Sequence, residues 1–314
     1  MQNKISEFNK LKSKWNSFRS ENENIRIRDA ASKMGVSEAE ILSTEIGDSV
    51  SYLSISDFSL FLKDILSADK LMILIRNEIV VHENIIESNN VKLTESQIVD
   101  MNGLIILDFN SSYFKYAFFQ NKLHGRRQLR SFQIFNIEGD AVLKIYLKSK
   151  DIDIFDNIAL KYESKYNYEL QSKGNINQLI HKEQSIDFYF DKNNSIPEIA
   201  EVSNQSLRVL LNEASNMKLP IQIHGFGLGS IQYHRDIIKN IVDYGPWVNV
   251  IDKKFNLHAL ESDIFQSTLN IYTINNQKYF VIDFFDSGNN HVLGITSVKG
   301  FENEFLSIVN KIKG

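Results

Sequence analysis

Cysteine is absent from this 314-residue chain, which rules out disulfides, thiolate metal sites and cysteine nucleophiles. Proline is nearly absent, with three residues, and that scarcity suits broad sheets because proline interrupts strand ladders. No apolar run approaches the roughly 18 residues that cross a bilayer, and the N-terminal stretch has nothing resembling a signal peptide. Membrane insertion is therefore not expected, and a cytoplasmic location is. An excess of positive charge is lacking too. With 35 basic and 39 acidic residues the formal charge is −4, which disfavours a general nucleic-acid binder because phosphate contacts need a basic surface. The sequence has no GxSxG elbow, P-loop or zinc-protease spacing.

What is present is apolar and aromatic. Hydrophobic residues make up 43% of the chain, with 21 Phe and 12 Tyr, enough for a sizeable core in one large domain or two of about 150 residues. Residues 4–19 carry Ile5, Phe8, Leu11, Trp15 and Phe18 at helical spacing. Residues 25–42 read as two short helices around Gly35, with Ser37 and Glu40 in a capping-box arrangement. A helix–glycine–helix invites comparison with DNA-binding motifs, but Glu38 and Glu40 stand where a recognition helix needs cations or Asn. Residues 57–70 form a third helical pattern, and 197–216 a later one. From Leu71 the period changes to that of strands, separated by turns such as "IEGD" at 137–140. The glycines of "GFGLGS" (225–230) precede a strand and read as a hairpin turn, without the strand–loop–helix context of a nucleotide site.

One phrase occurs twice. Ile79, His82, Ile85 and Ile86 match Ile231, His234, Ile237 and Ile238 at an offset of 152 residues, and the run around "IEGDAVLKI" has its counterpart in "DSGNNHVLGI". The expected fold is an internally duplicated α+β protein in which residues 71–147 and 221–296 each form a large, mainly antiparallel sheet with flanking helices. The halves are expected at 1–165 and 196–314, joined by a polar linker at 166–195.

Seven histidines are the main candidates for chemistry: His82, His124, His181, His224, His234, His258 and His291. None forms a close pair at metal-ligand spacing on a helix. His82 and His234 recur at equivalent places, which favours a shared packing role, a buried imidazole bonded to a neighbour, over ligation. The stretch "YGPWVNVIDKKFNLHAL" (244–260) alternates Trp247, Phe255 and His258 with polar residues, as core or as the wall of a pocket for a flat aromatic ligand. Trp247, Phe255 and Leu257 are expected in the core or pocket wall, with Asn249 and His258 holding the turn and neighbouring strands.

The same stretch resembles a family. "GPWVNVIDKKFNLHALESDI" (245–264), "IRIRDAASKMGVSEAEIL" (25–42), "RNEIVVHE" (76–83) and "LRSFQIFNIEGDAVLKIYL" (129–147) are similar to blocks of the bacterial haemin-degrading factors, the HemS/ChuS/PhuS family. The resemblance implies a duplicated fold and cytoplasmic haem handling: binding, trafficking or degradation in iron acquisition, with a haem importer or haem oxygenase as partner. Haem oxygenase-like activity is implied by the resemblance alone. The family's axial histidine lies on the helix after the linker, where this sequence has Gln205, and its distal arginine is replaced by Leu107 or a neighbour. The resemblance therefore implies a relocated ligand. His82 is the expected iron ligand, with His234 as its duplicate, and Arg76, Arg126 and Arg127 are expected for the propionates. The alternative is a non-haem ligand-binding or interaction protein on the same scaffold.

Overall fold

The computed structural model describes residues 2–23, 25–165, 198–203, 206–274 and 276–312. Helices α1 (Gln2–Glu21), α2 (Ile27–Met34) and α3 (Glu38–Ser43) open the chain, followed by strand β1 (Val50–Leu53) and helix α4 (Phe58–Ile65). Then come β2 (Lys70–Arg76), β3 (Val80–Glu87), β4 (Val91–Leu93), β5 (Gln97–Asp100), β6 (Ile105–Phe109), β7 (Tyr116–His124), β8 (Arg127–Phe135), β9 (Ala141–Leu147) and helix α5 (Ile152–Tyr162). The second half repeats this order: β10 (Glu198–Val202), α6 (Ser206–Asn216), β11 (Ile221–Gly227), β12 (Ser230–Asp236), β13 (Ile241–Tyr244), β14 (Trp247–Ile251), β15 (Phe255–Leu260), β16 (Gln266–Ile274), β17 (Gln277–Phe285), β18 (His291–Ser297) and α7 (Glu302–Ile312). Among the described residues, a strand, a helix, eight strands and a helix are written twice, so the fold is duplicated α+β. Each sheet nevertheless takes strands from both halves, where the repeat predicted one sheet per half, because β3 pairs with β15 and β6 with β12.

Two nine-stranded sheets result, with strand orders β1-β7-β8-β9-β2-β3-β15-β14-β13 and β10-β16-β17-β18-β11-β12-β6-β5-β4. Two compact units can be recognised, and neither follows the chain continuously. The first contains the described residues up to Ile73, Glu87–Ser96, and Asn110 through α5. The second contains Leu74–Ile86, Gln97–Phe109, and the described residues from Glu198 onward.

In the first unit, the Ser37–Glu40 capping box forms as the sequence implies. Gly35, at φ 69°, ends α2 in the left-handed conformation that glycine adopts without steric cost. Helix α3 is buried, and its Glu38 carboxylate meets Lys144 Nζ at 3.4 Å and Arg28 Nη1 at 3.5 Å. Its acidic residue thus faces two cations of its own unit. Phe61, Phe132 and Phe155 build an aromatic core with centroid spacings of 5.3 and 4.7 Å.

In the second unit, helices α6 and α7 cover an apolar layer that includes Leu207, Leu210, Ile221, Ile223, Ile282, Phe284 and Phe305. Helix α6 is anchored at its first turn by Glu261. One carboxylate oxygen accepts from the Arg208 backbone N–H at 2.8 Å and the other from Arg208 Nε at 3.0 Å. Arg208 also contacts Asp243. The glycine-rich run is a hairpin turn, since Gly227 pairs with Ser230 across a two-residue loop and Gly229 has φ 66°.

Two elements depart from the periodicity. The spacing predicts one helix over 197–216, but Glu198–Val202 forms β10 and pairs antiparallel with β16, and the helix starts only at Ser206. Val50–Leu53, between the helical patterns at 25–42 and 57–70, forms β1 and pairs with β7. Both strands are too short for alternation to announce them, and long-range pairing decides them. The polar linker at 166–195 lies outside the described residues.

Phe255 and Leu257 are fully buried, whereas Trp247 is half-buried. Phe255→Ala should therefore cost about 3–5 kcal/mol, and Trp247→Ala roughly 1 kcal/mol, in line with partial burial. Urea unfolding of both variants checks the difference, and equal losses would contradict this division between core and open face.

Candidate functional site

Five of the described histidines lie in the second unit. His82, on β3, has no solvent exposure. It lies directly on Gly225 of β11, where a Cβ would stand 2.6 Å from the His82 Cβ and 2.8 Å from its Cγ. Glycine is required here by close approach, because any side chain would occupy the imidazole's place. The ring meets Phe255 edge-on at 4.9 Å. The Gln232 side chain and the Ile223 backbone face its nitrogens, in geometry short of good hydrogen bonds. Burial, with the second imidazole of His234 nearby, pushes its pKa down to about 3, so it is neutral at physiological pH.

His234, its duplicate on β12, stacks flat on the other part of this cluster. Its ring centroid is 4.0 Å from that of Phe255, with the planes 4° apart. Its Nδ1 is 3.1 Å from Asn84 Oδ1. Asn84 donates its Nδ2 to the Tyr233 carbonyl at 2.7 Å, which leaves Oδ1 to accept. The proton of the neutral ring therefore sits on Nδ1 and the lone pair on Nε2. Burial lowers this pKa to about 4.

His258, on β15, repeats the device. Asn249 Nδ2 donates to the carbonyls of Val242 at 2.9 Å and Trp247 at 3.3 Å, and Asn249 Oδ1 lies 2.7 Å from His258 Nδ1. The same logic places the lone pair on Nε2, and burial lowers the pKa.

The remaining two are committed elsewhere. His224 is fully buried, with Nε2 near Thr296 Oγ1 at 2.9 Å and Gln222 Nε2 at 3.2 Å. His291 is stacked between Phe226 and Phe285 at 3.8 and 4.9 Å. Its Nε2 is 2.7 Å from Oδ1 of the buried Asp283, whose other oxygen accepts from Asn270 at 2.7 Å.

The residues expected from the sequence are dispersed. His82 and His234 do meet around Phe255, but the expected iron ligand His82 is enclosed by strand packing, with no open side for a porphyrin in this conformation. Arg76 is half-buried at the end of β2, in the second unit. Arg126 and Arg127 are exposed at the tip of the β7–β8 hairpin, in the first unit. Leu107 is fully buried on β6, and beside it the Asp108 carboxyl is raised by burial while accepting from Gln97 at 2.6 Å. Gln205 and His181 lie outside the described residues, and α6 as described carries no histidine. Sequence reasoning misses the Asn249–His258 and Asp283–His291 pairs as sites. The first is legible as a cross-strand pair once the register is known. The second has no sequence signal beyond its residue types.

The neutral, buried imidazoles make stability depend on pH. Their folded pKa values lie below the ordinary 6.5, so from pH 6.5 downward the unfolded chain binds protons that the native state refuses. Stability from His82 and His234 is complete above pH 6.5 and declines towards pH 4–3 as their folded values, about 3 and about 4, are approached. Each contributes a slope of up to about 1.4 kcal/mol per pH unit within that window. Urea midpoints between pH 7 and 5 should fall for the wild type, and His82→Gln should remove about one proton's worth of slope. An unchanged slope in that variant would show that His82 is not a protonation-resistant buried group.

The fold has known counterparts. A model of the haemin-degrading HemS/ChuX domain matches residues 35–162. The haemin transport proteins HmuS of Yersinia pestis and HemS of Yersinia enterocolitica are 25% and 24% identical over 271 residues, which is 76% of this chain and 78% of each relative. Among solved structures, holo-PhuS, a haem-binding protein from Pseudomonas aeruginosa, has a TM-score of 0.83 at 19% identity, covering 97% of this chain and 99% of that one. The haem-degrading enzyme ChuS of Escherichia coli O157:H7 gives 0.82 at 17% identity, with the same coverage. The four sequence blocks, the duplicated fold and these matches agree, and each marks the chain as similar to the haemin-degrading HemS/ChuX proteins.

Proposed function

We propose that this protein binds haem and handles it in iron acquisition, as cargo received from an importer and passed to a haem oxygenase. The observation that carries the proposal is similarity along three quarters of the chain to relatives that are haemin transport proteins, matched over 78% of their own length. The chemistry of the second unit supports it. Iron of haem is held by a neutral imidazole lone pair whose other ring nitrogen is oriented by a hydrogen bond. His234 and His258 both meet that description, each with Nδ1 directed at an asparagine oxygen. The described part of α6 has no histidine, so the ligand comes from elsewhere than that helix.

Titration of purified protein with haemin tests the proposal. The expected result is a saturable, red-shifted Soret band at one haem per chain with micromolar or tighter affinity, and transfer of the haem to apomyoglobin. Absence of a saturable Soret change would instead leave a scaffold that serves a non-haem ligand or a protein partner.

A further inference from the structure

The four strands β13, β14, β15 and β3 are neighbours in one sheet, and their residues from Val80 to Ile86 and from Ile241 to Leu260 belong to the second unit. Their two faces differ sharply. On one, Val248, Val250, Phe255 and Leu257 are fully buried. The register sets His258 opposite Asn249 and Val81, Val242 opposite Asn249, Trp247 opposite Tyr244, and Ile251 opposite Asn256. All of these therefore share the other face. That face is open and largely apolar: Val242 is 50%, Ile251 43% and Tyr244 80% exposed, with Val81, Trp247 and His258 half-buried. Scattered apolar side chains on a surface need no explanation, but a contiguous patch with aromatic members does.

At its centre stands an imidazole whose geometry is fixed. Asn249 is 7% exposed and its amide is pinned by two backbone carbonyls, so its oxygen can only receive the His258 Nδ1 proton. His258 Nε2 is thus presented as a lone pair on a half-buried side chain. Side chains stand roughly perpendicular to a sheet, so a metal on Nε2 would carry a planar macrocycle lying parallel to the strands, over Val81, Val242, Trp247 and Ile251. Three inter-strand gaps of about 4.8 Å give a platform roughly 14 Å across. Lys253 and Lys254 are exposed in the turn that joins β14 to β15, at one edge of this face, where carboxylates of such a ligand can be met. Glu83 is not a bare charge there, because it accepts from Asn256 Nδ2 at 2.9 Å.

We infer that the open face of β13, β14, β15 and β3 is a haem platform, with His258 Nε2 as the iron ligand and Asn249 as the residue that fixes its tautomer. The inference rests on the proposed haem function and names its site. The other described histidines of the second unit suit the role less. His82 and His224 are enclosed, His291 turns Nε2 towards Asp283, and His234 has one ring face against Phe255.

The test is haemin titration of the wild type and of the His258→Ala, His258→Gln, Asn249→Leu and Tyr244→Ala variants, with urea midpoints as a folding control. Both His258 variants should bind haemin at least tenfold more weakly and lose the imidazole-type Soret position, and added imidazole should restore that position in His258→Ala. Asn249→Leu should retain binding with a shifted iron–histidine stretching frequency, and Tyr244→Ala should weaken affinity several-fold. Hydrogen–deuterium exchange of the unmodified protein with haemin should show new protection in residues 241–260. Wild-type affinity and spectrum in folded His258 variants would overturn the site while leaving haem handling intact, as would protection confined to other segments. A wild type that binds no haemin would overturn both.

Discussion

The second unit depends on one close approach: the ring of His82 lying against the bare backbone of Gly225. This contact brings the β3–β15 pair onto the β11–β12 pair, and Phe255 completes it by meeting His82 edge-on and His234 face-on. A side chain at residue 225 would separate these strands, and a charged imidazole at residue 82 would be an unsolvated ion in the core. The geometry is therefore compatible with only one protonation state. The recurrence of the phrase "H-x-x-I-I" in both halves of the sequence finds its explanation here, because the two copies of the histidine converge on a single phenylalanine.

Around this core, the protein settles histidine chemistry through the partner of one ring nitrogen. Asparagine accepts from Nδ1 at His234 and His258 and turns Nε2 into a lone pair, while threonine and glutamine occupy Nε2 at His224. At His291, Nε2 lies 2.7 Å from a carboxylate oxygen of the buried Asp283 instead. Four imidazoles of identical composition thus differ in what they can offer a metal, and the difference lies in neighbours that no short motif predicts. The Asn84–His234 pair spans 150 residues and the Asp283–His291 pair only eight, yet neither is announced by spacing.

Strand alternation explains how the same strands present two different faces. Alternation along β14 and β15 buries Val248, Val250, Phe255 and Leu257 on one side and leaves Trp247, Ile251 and His258 on the other. A stretch that reads as core or as pocket wall gives alternate residues to the core and to an open face. The expectation that His258 and Asn249 hold neighbouring strands is compatible with their hydrogen bond, but that bond also fixes which nitrogen faces outward.

The sequence by itself determined the α+β class, the duplication, the helix caps at Gly35 and Ser37, and the hairpin at Leu228–Gly229. These follow from local constraints: period, capping and the conformational freedom of glycine act within a few residues. The family blocks are equally local, and they pointed to haem. Only the tertiary structure decided that 198–202 and 50–53 are strands, because their ladder partners are more than 60 residues away. It also decided that His82 is a packed, neutral core residue and that Arg126 and Arg127 belong to the other unit from His82. The physical reason is that burial and hydrogen-bond partnership are properties of the assembled sheets. A histidine's charge and tautomer are set by whichever side chains the strand register brings beside it, and a window of sequence does not show that register.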